Sequence, residues 1–241
     1  MSWHMGRLTG FDLETTGVDV EEDRVVTACV VHCGGGEDTQ SQTWLADPGV
    51  EIPEGAAKVH GITTERARAE GAPAAEVISE IVAALAQAAE AGQPLVIMNA
   101  AYDLTLLDRE ARRHGITPLV ELVGDQLLVL DPRVLDKQID KFRRGGRKLE
   151  DLCHTYRVAL DGAHSADADA LAACRVAWRI AHLKPAIGKA SLADLQPMQA
   201  GWAREQAESL ADYFRRTPGK ESWADDVRTD WPFIPHQQTG A

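Results

Sequence analysis

Three extended segments in a row, followed by short apolar strands separated by helices, are the feature that most limits the architectures open to this chain. Residues 8–15, 24–33 and 39–45 read as strands, the second rich in β-branched side chains, with Gly34-Gly35-Gly36 as the turn before the third. Pro48, Gly49, Pro53 and Gly55 then mark a loop. An Ala-rich helix is expected over residues 74–91, a short apolar strand over 95–98, a helix over 101–114 that stops before Gly115, and a buried strand over 126–131. Shorter helical segments surround residues 134–137 and 149–156. Longer helices are expected over 165–182 and 192–216, the last stopping at Pro218-Gly219. Antiparallel neighbours can be joined by a tight turn, whereas parallel strands need a crossover. The order β-β-β-α-β-α-β-α therefore specifies an α/β chain with a mixed sheet flanked by helices. Residues beyond about 220, including Trp223 and Trp231-Pro232-Phe233-Ile234-Pro235, read as an extended tail.

The charge balance narrows the class of function. The net charge of −12 argues against a protein that coats nucleic acid by general electrostatics. It is compatible with an enzyme that gathers carboxylates around divalent cations and keeps a local basic path to its site. Lys141-Phe142-Arg143-Arg144-Gly145-Gly146-Arg147-Lys148 is the candidate path, with Arg143, Arg144 and Arg147 expected to guide phosphates; the bland alternative is a solvated loop. Cys29, Cys33, Cys153 and Cys174 contain no Cys-x-x-Cys pair and are expected to be reduced, buried thiols. No apolar run approaches the ~20 residues of a membrane span, and the first residues lack a basic-then-apolar layout, so the expected location is cytoplasmic, with no membrane partner.

The clearest chemical signal lies on the first strand. Alternation sends Leu8, Gly10, Asp12 and Glu14 to one face and Phe11 and Leu13 to the other. Two carboxylates roughly 6.5–7 Å apart by strand rise repel each other unless a cation lies between them, and oxygen-only ligands suit Mg²⁺ or Mn²⁺. A solvated acidic edge strand is the alternative. In the helix that follows residue 99, Thr105, Asp108, Arg109, Arg112 and Arg113 form a polar outer face, while Asp103 shares the inward stripe with Leu106, Leu107 and Ala111. A bare carboxylate there costs several kcal/mol unless paired or metal-bound. A third constellation is His164-Ser165-Ala166-Asp167-Ala168-Asp169. Asp167 aligns with Leu171, Cys174 and Trp178, and Asp169 with Ala173, Val176 and Ile180, so periodicity does not choose between them.

These segments resemble a known family. Phe11-Asp12-Leu13-Glu14-Thr15-Thr16-Gly17 resembles the first motif of the DnaQ-like 3'→5' exonucleases of the histidine-containing DEDD group, Asn99-Ala100-Ala101-Tyr102-Asp103 their second, and His164 with Asp169 five residues later their third. Val59-His60-Gly61-Ile62-Thr63 and Lys148-Leu149-Glu150-Asp151-Leu152-Cys153 are similar to further segments of the proofreading-type members. Many relatives carry a His before the second-motif Asn, where this chain has Met98, a position the family does not use as a ligand.

The resemblance spans about residues 7–183 and implies a ribonuclease H-like fold over residues 1–183, with residues 184–241 as a C-terminal helical extension and tail. It implies phosphodiester hydrolysis with two Mg²⁺ or Mn²⁺ ions held by Asp12, Glu14, Asp103 and Asp169, and His164 as general base. It makes Asp169 the ligand and Asp167 a neighbour or capping residue. It also places Leu13, Thr15, Thr16 and Gly17 near the terminal nucleotide, with His60 and Asn99 as further contacts, although Thr16-Gly17 is equally readable as a turn. The expected partner is nucleic acid with a free 3' end, single-stranded DNA favoured over RNA. Rival readings are an exoribonuclease, a non-catalytic binding module on the same scaffold, and a polymerase-bound proofreading subunit. The helix over 192–216 and the Trp231–Pro235 segment are candidate docking elements toward a polymerase or a second copy, or pack on their own domain.

Overall fold

A computed structural model describes residues 2–160 and 165–236. The meander forms as expected: β1 (Arg7–Thr15), β2 (Val25–Gly34) and β3 (Gln40–Asp47) pair antiparallel in sequence order. Two short helices follow, α1 (Glu54–His60) and α2 (Thr64–Glu70), where the sequence suggested only a loop. α1 buries none of its side chains and α2 only Thr64 and Ala67, so neither carries an apolar stripe long enough to register as a helical period. They cap a small cluster of Val26, Ile52, Ile62 and Ala67.

The remaining strands are β4 (Ala72–Pro73), β5 (Leu95–Val96) and β6 (Val129–Leu130), giving the sheet order β4-β3-β2-β1-β5-β6. β5 runs parallel to β1, and β6 parallel to β5. β5 and β6 are shorter than the apolar runs that encode them, because residues at their ends turn into the adjoining helices. The crossover helices are α3 (Ala74–Glu90), α4 (Ala100–Arg113) and α5 (Leu119–Val123), followed by α6 (Pro132–Ile139), α7 (Leu149–Tyr156) and α8 (Ala166–Leu183). One core lies between the sheet and α3–α4, with Phe11, Leu13, Ile78, Ile81, Leu85, Leu106 and Leu107 at its centre. The other lies between the opposite face and α6–α8, around Leu8, Val31, Leu135, Leu152, Val176 and Ile180. β1 is thus central, which removes the solvated edge-strand reading of Asp12 and Glu14.

The C-terminal part packs on this framework. After α9 (Pro185–Gly188), α10 (Leu192–Arg215) buries Leu195, and its Gln199 donates to Val129 O (2.8 Å) and accepts from Asp131 N (2.9 Å). The tail then straps across α4. Ile234 N–H donates to Thr105 Oγ1 (2.8 Å), Arg109 donates to Ile234 O (3.1 Å), and Trp231 and Phe233 pack against the first core. The polar outer face expected of α4 is therefore covered in part: Thr105, Asp108 and Arg109 are buried. A helical wheel shows which residues share a face, not what a segment 125 to 129 residues away lays over it. Arg109 is neutralised there by a forked contact with Glu21 and by Asp108 at 2.8 Å. The four cysteines are free and buried. Among the described residues no helix is long and apolar enough to cross a membrane.

Candidate active site

The site forms where β1 outruns its parallel neighbour. β5 pairs with β1 only at Thr9 and Gly10, so beyond Gly10 that flank of β1 has no strand beside it. Ligand sites of α/β sheets lie at such carboxyl ends of parallel strands. α4 begins in that space, and the Leu13 N–H donates to Asp103 Oδ1 at 3.1 Å. Asp103 is buried, as its place on the inward stripe requires.

α8 supplies the third side. It crosses β1 at Gly10, where an added Cβ would lie 2.5 Å from Ala170 O and 2.8 Å from Cys174 Sγ. The absent side chain lets the helix lie directly on the strand. Asp169, the residue before Ala170, is thereby brought to the acidic strand. Oxygens of Asp12, Glu14 and Asp169 all lie within 4.8 Å of one another. Asp167 is exposed on the helix surface, so tertiary packing separates two acids that periodicity left equivalent.

Electrostatics mark this cluster as one built around positive charge. Burial, then the charges of Asp103, Asp169 and Glu14, holds the Asp12 carboxyl well above the ordinary range. Burial and Asp169 push Glu14 up to about 7. Burial also raises Asp103, against the lowering effect of the Leu13 N–H. Oxygen donors at this spacing with mutual repulsion fit a hard divalent cation, which would relieve the strain by its charge.

The supporting contacts were largely not legible in the sequence. Asn99 precedes α4 in the left-handed region (φ 64°, ψ 49°), and its N–H and that of Ala100 donate to Asp131 at 3.2 and 3.0 Å. Asp131 also caps α6 by accepting from Arg133 N (2.9 Å) and Val134 N. One buried carboxylate therefore orients the helix that carries Asp103. The Asp131-Pro132 dipeptide, a cap followed by proline at the first helical position, was the available signal. Tyr102 Oη contacts both Thr15 Oγ1 and Gly17 O at 2.6 Å, tying the loop after β1 to α4.

The expected substrate contacts fall differently. Thr16 Oγ1 donates to Asp23 Oδ1 (2.6 Å) and accepts from Arg24 N, and a Cβ on Gly17 would meet the Asp23 carboxylate at 2.5 Å. The hydroxyls of Thr15 and Thr16 are thus engaged within the fold, as are the Thr16 N–H, which donates to Arg24 O (3.0 Å), and the Gly17 carbonyl. Leu13 is buried with its N–H on Asp103. His60, its basicity lowered by burial, lines a cavity of about 450 Å³ together with Glu14, Trp44, Arg66, Ser165 and Asp167. Asn99 Oδ1 accepts from Arg133 at 2.6 Å. His164 lies outside the described residues.

The basic stretch makes contacts within the fold. Arg143 and Arg147 both turn inward onto the fully buried Asp136, Arg143 at 2.7 Å, and Arg147 also donates to Asp140 O (2.6 Å). Tyr156 Oη donates to the same carboxylate at 2.8 Å. Two of the three arginines expected on a strand path are counter-ions of a buried acid. Arg144 is exposed.

Comparison with known proteins agrees with this geometry. The profile of the RNase T exonuclease family matches residues 9–177. A DNA polymerase III of the PolC type from Lacticaseibacillus paracasei is 29% identical over 161 residues, covering 66% of this chain and 10% of that protein. An exonuclease I structure superposes with a TM-score of 0.65 at 18% identity, over 76% of this chain and 42% of that one. Escherichia coli exonuclease I in complex with a dT13 oligonucleotide gives 0.63 at 19% identity, over 76% and 42%. The chain spans a tenth of the polymerase and less than half of these structures. The match over 9–177 carries all three acidic segments, and the chain belongs to the RNase T exonuclease family, on the DnaQ-like, ribonuclease H-like fold.

Proposed function

We propose that the protein is a metal-dependent 3'→5' exonuclease that releases nucleoside 5'-monophosphates, with single-stranded DNA as the favoured substrate. The observation that carries this reading is the convergence of Asp12, Glu14 and Asp169 within 4.8 Å, with Asp103 held beside them on the β1 backbone. These four carboxylates would hold two divalent ions, Mg²⁺ or Mn²⁺, which when bound supply Lewis-acid charge at the scissile phosphate and a more acidic water. His164, five residues before Asp169, is assigned as the base that takes the water's proton, since neutral imidazole accepts a proton near operating pH. The segment Thr15-Thr16-Gly17, with Leu13, His60 and Asn99, is assigned to the terminal nucleotide. DNA is favoured over RNA because the polymerase relative is a DNA polymerase and the exonuclease I relative is seen with a deoxyoligonucleotide.

The test is hydrolysis of end-labelled single- and double-stranded DNA and RNA in Mg²⁺, Mn²⁺ or EDTA. Metal-dependent shortening from a free 3' end, with mononucleotide products, is expected. Efficient cutting of a closed circular strand would replace the exonuclease assignment with an endonuclease on the same fold.

A further inference from the structure

A second cavity, of about 440 Å³, lies between α6, α10 and the C-terminal tail, within the size range of small-ligand sites. It borders the proposed active site through Asn99, which begins one turn, ~6 Å of helix rise, before Asp103. Asn99 is bonded to Arg133, and Lys137 follows Arg133 by one turn on α6. Both cations line the cavity, and among the described residues neither has a carboxylate within ion-pair distance. By contrast, the cations on the neighbouring segments, Arg109, Arg112, Arg113, Arg143 and Arg147, all have carboxylate partners. Lys137 is half-buried, and burial with the neighbouring Arg133, Arg147 and Lys141 lowers its basicity, so an anion here would relieve repulsion. The C-terminal part of the lining brings the rings of Phe214, Trp223 and Trp231. Trp223 is 49% exposed, and Trp231 has a buried indole N–H with no acceptor among the described residues.

We propose that this cavity is an upstream subsite for single-stranded nucleic acid. The sugar-phosphate backbone a few nucleotides from the 3' end lies along Arg133 and Lys137, and a base enters against the wall of Trp223 and Trp231. Cationic and aromatic side chains lining one cavity are the combination that holds a single strand without reading its sequence. α10 and the tail fall outside residues 9–177 that match the family, so this wall is an addition to the shared nuclease core. On the tail side the exposed Asp226 and Asp230 flank a single cation, Arg228, so that side is the more acidic and the phosphates are assigned to the α6 wall.

The inference rests on the exonuclease reading, and the test separates the two. Binding is measured in EDTA, without turnover, by quenching of tryptophan fluorescence with oligothymidylates: a dinucleotide and one of about twelve nucleotides. Arg133→Ala with Lys137→Ala should weaken the longer ligand about tenfold and flatten its logarithmic salt slope by about 1.4, at ~0.7 per lost phosphate contact. The dinucleotide should lose less than the longer ligand. Asp226→Asn with Asp230→Asn should move affinity the opposite way, a gain that misfolding cannot produce. Equal weakening at both lengths, an unchanged salt slope, or no gain from the Asn pair would overturn the subsite. Tight binding of thymidine 5'-monophosphate at the same residues would make the cavity a mononucleotide site and overturn it as well. Should wild-type protein show this length-dependent binding but hydrolyse no 3' end with metal, the exonuclease reading fails and the subsite stands.

Discussion

Glu14 offers the most direct measure of how far the acidic cluster is built for cations. Its carboxyl titrates at about 7 in the fold against 4.5 ordinarily. A raised value means the protonated form is favoured by folding. The contribution to stability is present below pH 4.5 and is lost as pH rises through about 7. At ~1.36 kcal/mol per tenfold change in proton affinity, the charged carboxylate costs the metal-free fold roughly 3 kcal/mol at pH 8. Glu14 is only partly buried, so solvent screening reduces this to about 1–2 kcal/mol. Glu14→Gln keeps the shape and removes the charge. In EDTA at pH 8 the variant should be more stable than wild type by that amount, raising Tm by about 2–6 °C for a chain of this size. At pH 4.5 the difference should vanish. With Mn²⁺ the order should reverse, because a metal at a hundredfold its Kd stabilises wild type by about 2.7 kcal/mol and the amide is a weaker ligand. Differential scanning fluorimetry across pH, with and without metal, measures all three conditions. A Glu14→Gln protein less stable than wild type in EDTA at pH 8 would refute the reasoning, since the carboxylate would then have partners that satisfy it without a cation.

Four further outcomes are expected, three from the same geometry and the one at His164 from the sequence motif. Asp169→Asn should abolish hydrolysis and weaken Mn²⁺ binding, whereas Asp167→Asn, exposed on α8, should keep most activity and change stability by about 1 kcal/mol at most; single-turnover rates and Mn²⁺ titrations of both decide it. His164→Ala should slow turnover roughly 10²–10⁴-fold, and wild-type kcat/KM should fall as pH drops through the imidazole pKa; calorimetry showing metal affinity lost with activity would make His164 a ligand instead. Gly10→Ala pushes a methyl against Ala170 O and should cost about 1–3 kcal/mol while displacing Asp169, so metal affinity falls with stability; retained Mn²⁺ affinity in a destabilised variant would break that link. Arg143→Ala with Arg147→Ala leaves Asp136 buried beside Tyr156 alone and should destabilise the fold by about 3–5 kcal/mol in urea titrations; a raised KM at unchanged stability would return these arginines to the substrate path.

Much of the architecture was encoded locally. Strand alternation put Asp12 and Glu14 on one face, helical period put Asp103 inward, and the alternation of strands and helices required a mixed sheet, because each of these follows from backbone geometry that near neighbours in sequence already fix. α1 and α2 have no signature in the sequence, because short helices that bury almost nothing carry no apolar period. What sequence periodicity left undecided was decided by contacts between distant segments. Asp169 rather than Asp167 joins the cluster because Gly10, some 160 residues earlier, lets α8 lie against β1. Asp131 fixes the start of α4 from the N-cap of α6, the tail covers a helix face that looked solvated, and Arg143 and Arg147 reach a buried acid. A residue's own neighbours set which way its side chain points; what meets it there depends on loop closures and packing that bring remote charges together, and no local pattern records those.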